Sequence, residues 1–103
     1  MKKKIIVTGG SGFIGSNLIP KLASKYRLVT LGRAIGCDLL RPITNAKVFE
    51  NVDVVVHLAS LTNVGYSIAN PAEVMTGNLA MCINLLEAVR LAKQRPLFVL
   101  ASS

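Results

Sequence analysis

The sequence predicts an α/β fold, a doubly wound parallel sheet of about five strands with helices on both faces. Three observations point there. Short runs of β-branched and apolar residues lack polar alternation, which is how strands covered on both sides read. Between them lie segments whose apolar residues recur every three or four positions, as on the buried stripe of a helix. Finally, four glycines fall within Gly9–Gly15, directly after the first apolar run and directly before the first helical pattern.

The elements follow in order. Lys4–Thr8 (KIIVT) is the first strand. From Gly12 to Ser24 a helix is expected, with Ile14, Leu18 and Leu22 as its buried stripe and a kink at Pro20, where a backbone donor is lost. Arg27–Leu31 reads as a second strand, Ala34–Asp38 as a short third, and Ile43–Asn51 as one or two helical turns. Asp53–Leu58 (DVVVHL) is a fourth strand. Pro71 stands at the start of a long helix, a position where its missing N–H costs nothing. Met75, Leu79, Cys82, Leu86 and Val89 are expected on that helix's buried face, and Pro96 blocks its continuation. Leu97–Ala101 is the fifth strand.

Composition bounds the function. With 103 residues the chain is one domain, spanning 1–103, or a piece of one, and its 51% hydrophobic content argues for a packed core. The apolar run after Lys2–Lys4 stops at Thr8, short of an export signal, and no uninterrupted apolar stretch approaches the ~20 residues of a membrane span. Cys37 and Cys82 have no ligand-like spacing, so no metal site is expected, and reduced thiols in a cytoplasm are. The net charge is +7, but beyond Lys2–Lys4 the basic residues are scattered and few aromatics accompany them. Nucleic acid is therefore not the expected partner, whereas a phosphate-bearing small molecule suits the charge.

The glycines give that molecule a place. Gly10, Gly12 and Gly15 satisfy G-x-G-x-x-G, and Gly9, Gly12 and Gly15 satisfy G-x-x-G-x-x-G. In a strand-to-helix turn, early glycines permit the tight bend and the close approach of a pyrophosphate, which unpaired N–H groups and the helix dipole then attract. No Gly-Lys-Ser/Thr ending follows, which excludes a P-loop. His57, in an apolar run without an acidic or cysteine neighbour, is expected to be a packed, hydrogen-bonded core residue rather than a catalytic base.

Together, VTGGSGFIGSNL (Val7–Leu18), CDLL (Cys37–Leu40), DVVVHLAS (Asp53–Ser60), GNLAMCINLLEAVR (Gly77–Arg90) and LFVLASS (Leu97–Ser103) resemble the extended short-chain dehydrogenase/reductases, which include nucleotide-sugar epimerases and dehydratases. The resemblance spans nearly the whole chain and implies the N-terminal portion of a Rossmann-type domain, ending before the catalytic helix and the substrate domain. It assigns the NAD(P) pyrophosphate to Gly9, Gly12, Phe13, Ile14 and Gly15, and the adenine amino group to Asp38 with Leu39 beside it. Leu58, Ala59 and Ser60 match the strand end that passes the ribose and nicotinamide, and Asn78 matches an asparagine early in the long helix. The alternative for Asn78 is that it only ties a loop to its helix. Met81 and Cys82 depart from the family's usual Gly and Thr.

The family's chemistry needs a Ser or Thr and a Tyr-x-x-x-Lys pair, the tyrosine moving a sugar-hydroxyl proton while hydride passes to or from nicotinamide. The resemblance puts Ser103, or alternatively Ser102, at the hydroxyl position; the sequence contains no Tyr-x-x-x-Lys. Three functions are thus in view: part of a nucleotide-sugar epimerase, dehydratase or reductase, a non-catalytic NAD(P)-sensing module, or an interaction protein that completes a partner's sheet. A homo-oligomer is expected. Cofactor choice turns on TLGRA at Thr30–Ala34, where Gly32 stands instead of the acid that grips an NAD ribose and Arg33 offers a guanidinium to a 2′-phosphate. NADP is expected over NAD.

Overall fold

The computed structural model describes residues 2–32, 38–44, 46–61, 63–93 and 95–101. Four parallel strands, β1 (Lys4–Thr8), β2 (Arg27–Leu31), β3 (Val54–His57) and β4 (Leu97–Leu100), form one sheet in the order β2-β1-β3-β4. They coincide with the first, second, fourth and fifth expected strands. The expected third strand, apart from Asp38, lies outside the described residues. The crossovers carry α1 (Phe13–Ala23), a 3-10 turn at Ala46–Phe49, α2 (Val64–Ala69) and α3 (Pro71–Leu91).

β1 is central and its Ile5, Ile6, Val7 and Thr8 are all buried, the environment its unbroken apolar run calls for. Ile6 and Val55 are neighbours in register and share a core with Leu31, Phe49, Val52 and Leu85. Asp53 fixes the start of this pairing: its carboxylate accepts from the Lys4 amide at 2.9 Å, and its own amide donates to the Lys4 carbonyl at 2.9 Å.

Both helices bury part of the expected stripe, Leu18 and Leu22 in α1 and Cys82 and Val89 in α3 being half-buried, but each face is shifted. In α1, Gly15 is buried, Leu18, Ile19 and Leu22 are half-buried, and Ile14 is 59% exposed, so the stripe begins one residue later. The helix runs unbroken through Pro20. In α3 the buried residues are Val74, Met81 and Leu85, whereas Met75 and Leu79 are 72% and 61% exposed. Helix α3 is apolar almost all round, so two faces one residue apart, about 100° of rotation, score alike by spacing. The sheet takes the face carrying Leu85. By length and composition alone α3 could also cross a membrane, the one helix among the described residues that could; here it packs on the sheet.

Candidate dinucleotide-binding cleft

The chain runs from β1 outward to β2, then returns past β1 to β3, so the strand order reverses between β1 and β3. Open α/β sheets bind ligands at the carboxyl ends of their strands beside such a reversal. Thr8 ends β1 there and leads directly into the glycine turn.

The turn explains its glycines. Gly9 has φ +72°, a left-handed conformation that side chains disfavour, and a β-carbon on it would stand 2.6 Å from the Ala59 nitrogen and 2.7 Å from the Leu58 carbonyl carbon. Gly15 presses on the same turn from the helix side, where an added β-carbon would collide with the Gly9 carbonyl oxygen and Gly10. Between them the Gly12 amide donates to the Gly9 carbonyl at 3.1 Å, and Gly12 caps α1 in extended conformation without a side-chain acceptor. The first amides of α1 therefore lack intrahelical partners, and no acidic side chain stands in the first turn to take their place.

An open cleft of about 630 Å³ extends from this turn. Gly9, Gly10 and Ser11 line it together with Ala59, which abuts Gly9, and with Ile19, Thr30, Leu31 and Gly32; Asp38, Leu39, Leu40, Leu61 and Met81 complete the lining. The glycine turn is backbone-rich and suited to an anion, and Asp38 is the one carboxylate among these residues. Gly32 opens the β2 side, since a β-carbon on it would meet nothing within 4 Å.

The walls of the cleft are held from behind. Asp38 Oδ1 accepts from the Leu40 amide at 3.0 Å, and the Asn84 side chain of α3 donates to the Leu39 carbonyl at 2.8 Å, so the Asp38–Arg41 turn is fastened to the core helix. Asn78 clamps Leu61, accepting from its amide at 2.6 Å and donating to its carbonyl at 3.3 Å. Thr8 Oγ1 accepts from the amides of Leu58 and Ala59 and pairs with His57 Nδ1. His57 is 4% exposed and burial pushes its pKa below the ordinary imidazole value, the packed histidine that its apolar surroundings in sequence imply.

Of the residues singled out in sequence, Gly9, Asp38, Leu39 and Ala59 line the cleft, and Gly12, Phe13, Ile14 and Gly15 form the turn and helix start beside it. Phe13 is 86% exposed. Leu58 and Ser60 flank Ala59, and Asn78 lies behind Leu61 with both amide atoms engaged by the loop. Arg33 and Ser103, and Ser102 with it, lie outside the described residues. Sequence reasoning gave no site role to Ser11, Ile19, Leu40, Leu61 or Asn84, although Ser11, Leu40 and Asn84 fall within the stretches that carry the resemblance. Met81, noted only as a departure from the family pattern, is buried in the cleft wall. Among the described residues no cluster of His, Cys, Asp and Glu could hold a metal ion.

Comparison with known proteins agrees with this geometry. The chain is 40% identical over 90 residues to the GDP-6-deoxy-D-talose 4-dehydrogenase of Aggregatibacter actinomycetemcomitans, covering 84% of this chain and 30% of that one. It is 30% identical over 122 residues to the UDP-glucose 4-epimerase of Mycoplasma pneumoniae, covering 99% and 36%. It superposes on the structure of RMD from Pseudomonas aeruginosa complexed with NADPH with a TM-score of 0.80 and 33% identity, covering 98% and 35%. The chain thus spans about a third of the length of the relatives it matches. A model of the NAD dependent epimerase/dehydratase family matches residues 5–103, and with the glycine turn, the parallel sheet and the cleft in agreement, the chain belongs to that family.

Proposed function

We propose that the cleft binds NADP in preference to NAD, and that the chain is the cofactor-binding part of a cytoplasmic epimerase, dehydratase or reductase acting on a nucleotide sugar. The observation that carries this reading is the continuity of one cleft from side-chain-free backbone at Gly9 and Gly10 to the Asp38–Leu40 turn. The amides at the start of α1 would receive the pyrophosphate, and Asp38 with Leu39 the adenine. Open space at Gly32, followed in sequence by Arg33, leaves room for a 2′-phosphate and supplies a charge for it. When bound, the nicotinamide supplies hydride chemistry; this chain's residues bind and orient it and shield it along the Leu58–Ser60 wall.

A non-catalytic, NAD(P)-sensing module of the same fold is the second reading, separated from the first by whether a Tyr-x-x-x-Lys pair follows these residues in the full-length protein. On either reading the chain by itself binds without turnover.

The test is calorimetric titration of the full chain with NADP and NAD at matched ionic strength. NADP should bind at least tenfold tighter, and Arg33→Ala should erase the difference, because a charge-assisted phosphate contact contributes about 1.5–3 kcal/mol. Equal affinities, or NADP binding untouched by Arg33→Ala, would remove the preference. Failure to bind either dinucleotide would remove the cofactor reading itself.

A further inference from the structure

Thr8 and His57 are register partners on β1 and β3, both buried, with Thr8 Oγ1 2.6 Å from His57 Nδ1. The same oxygen accepts from the Ala59 amide at 3.1 Å and from the Leu58 amide at 3.0 Å, the latter shared with the Thr8 carbonyl oxygen at 3.2 Å. A threonine hydroxyl has two lone pairs and one proton. Both amides are directed at its lone pairs, the Ala59 amide with no other acceptor, so the hydroxyl meets His57 through its proton and Nδ1 accepts that hydrogen bond. The imidazole is then neutral and carries its own proton on Nε2. Were Nδ1 protonated instead, three donors would converge on two lone pairs and the Thr8 hydroxyl would lose its acceptor.

We propose that His57, as the Nε2–H tautomer, is a positioning residue for the dinucleotide cleft: by accepting the Thr8 proton it frees Thr8 Oγ1 to hold the Leu58–Ala59 peptide against Gly9. The contact it governs is tight, for that peptide lies where a Gly9 β-carbon would fall. Gly9 and Ala59 both line the cleft, so the proposal rests on the cofactor reading for one step, that the dinucleotide touches this wall.

Protonating His57 turns Nδ1 into a donor, which leaves the Thr8 hydroxyl without its acceptor and displaces an amide from Oγ1; the Leu58 amide can retain the Thr8 carbonyl, so the Ala59 amide is the one at risk. Cofactor binding and His57 protonation therefore oppose each other, and the coupling is reciprocal. Among the described residues no other ionisable group shifts His57. β1 carries only Lys4, at its far end, and β4 contributes Phe98, its ring centroid 6.3 Å from that of His57, and no charge. On α3, which packs over this side of the sheet, the ionisable side chains are Glu73, Cys82, Glu87 and Arg90, of which Glu87 and Arg90 pair with each other at the surface. Burial alone moves the His57 pKa, downward.

The test begins with imidazole and backbone ¹⁵N NMR of the full chain, in which His57 is the sole histidine. The expected spectrum at neutral pH shows bare Nδ1 and protonated Nε2, and on acidification the Leu58 and Ala59 amides shift with the same midpoint as the imidazole. An Nδ1–H tautomer, a cationic ring at neutral pH, or amides that ignore the titration would overturn the proposal. NADP affinity supplies the second readout. At neutral pH His57→Asn, whose side-chain oxygen can accept where Nδ1 does, should keep wild-type affinity within about twofold, and His57→Leu should bind about fivefold more weakly than wild type, the worth of one hydrogen bond; neither variant should show the wild type's decline at acid pH. Equal affinities and equal pH profiles for all three proteins would overturn the coupling. A wild-type chain with the expected tautomer and coupled amides that binds no dinucleotide would instead overturn the cofactor reading and, with it, the assigned role at the cleft.

Discussion

Gly15 lies so close beneath Gly9 that no β-carbon fits between α1 and the Gly9 carbonyl oxygen. The helix can approach the turn, and the turn can bend over the Leu58–Ala59 peptide, only because both positions lack side chains. Gly15→Ala should therefore push α1 away from β1. Its atoms would meet rigid backbone, so a loss of about 1–3 kcal/mol in denaturant-measured stability is expected, with NADP affinity falling more than tenfold. Wild-type affinity in a stable Gly15→Ala protein would contradict the role assigned to the contact.

Asn84 and Leu39 form the complementary fastening on the other side of the cleft. Its amide holds the Leu39 carbonyl at 2.8 Å from within α3, far from the glycine turn in sequence. Asn84→Ala should leave the sheet intact and loosen the Asp38–Arg41 turn. We expect NADP affinity to fall about threefold to tenfold, with thermal stability reduced by about 1 kcal/mol. Titration against NMN, which lacks adenine, should show no difference between the two proteins.

The buried neutral His57 also sets a direction for stability against pH. Its pKa is lowered in the fold, so the unfolded chain binds the proton more readily, and stability is fully present above the unfolded value of about 6.5 and declines as pH falls through it toward the folded one. Denaturant unfolding at pH 7.5 and pH 5 should show that decline in the wild type and a smaller one in His57→Asn. A wild-type chain that gains stability on acidification over this range would contradict the assignment.

Legibility in the sequence was uneven for identifiable reasons. The strands at Lys4–Thr8 and Arg27–Leu31 were legible to the residue, because continuous apolar runs bounded by glycine or charge leave few alternatives. The faces of α1 and α3 were not. Helix α3 carries apolar residues on two sides, and choosing between Leu79 and Met81 needs the sheet, not the spacing. The glycine turn was legible because its chemistry is backbone chemistry, which removes side chains visibly. Leu61 and Asn84 were illegible because they act through loop contacts across 17 and 45 residues, respectively, and no local pattern records such a pairing.

The exposed apolar surface carries a further expectation. Met75, Leu79, Ile83 and Leu86 on α3, and Leu97, Val99 and Leu100 on the edge strand β4, are all exposed. Such surface drives association. Light scattering of the full chain should find dimers or larger species at micromolar concentration, and a Leu79→Glu, Ile83→Lys double variant should shift them toward monomer without altering NADP affinity. A monomeric wild type would contradict this.

The central claim is that a dinucleotide lies on the glycine turn and reaches the Asp38 side of the cleft. The most direct measurement is a titration of the ¹⁵N-labelled full chain with NADP, following each backbone amide. The account predicts saturable shifts concentrated at Gly9, Gly10, Ser11, Ile14, Gly15, Ala59 and the Asp38–Leu40 turn, with the surface amides of Glu87 and Arg90 unmoved. No saturable shift, or shifts centred away from the carboxyl ends of β1 and β3, would contradict it.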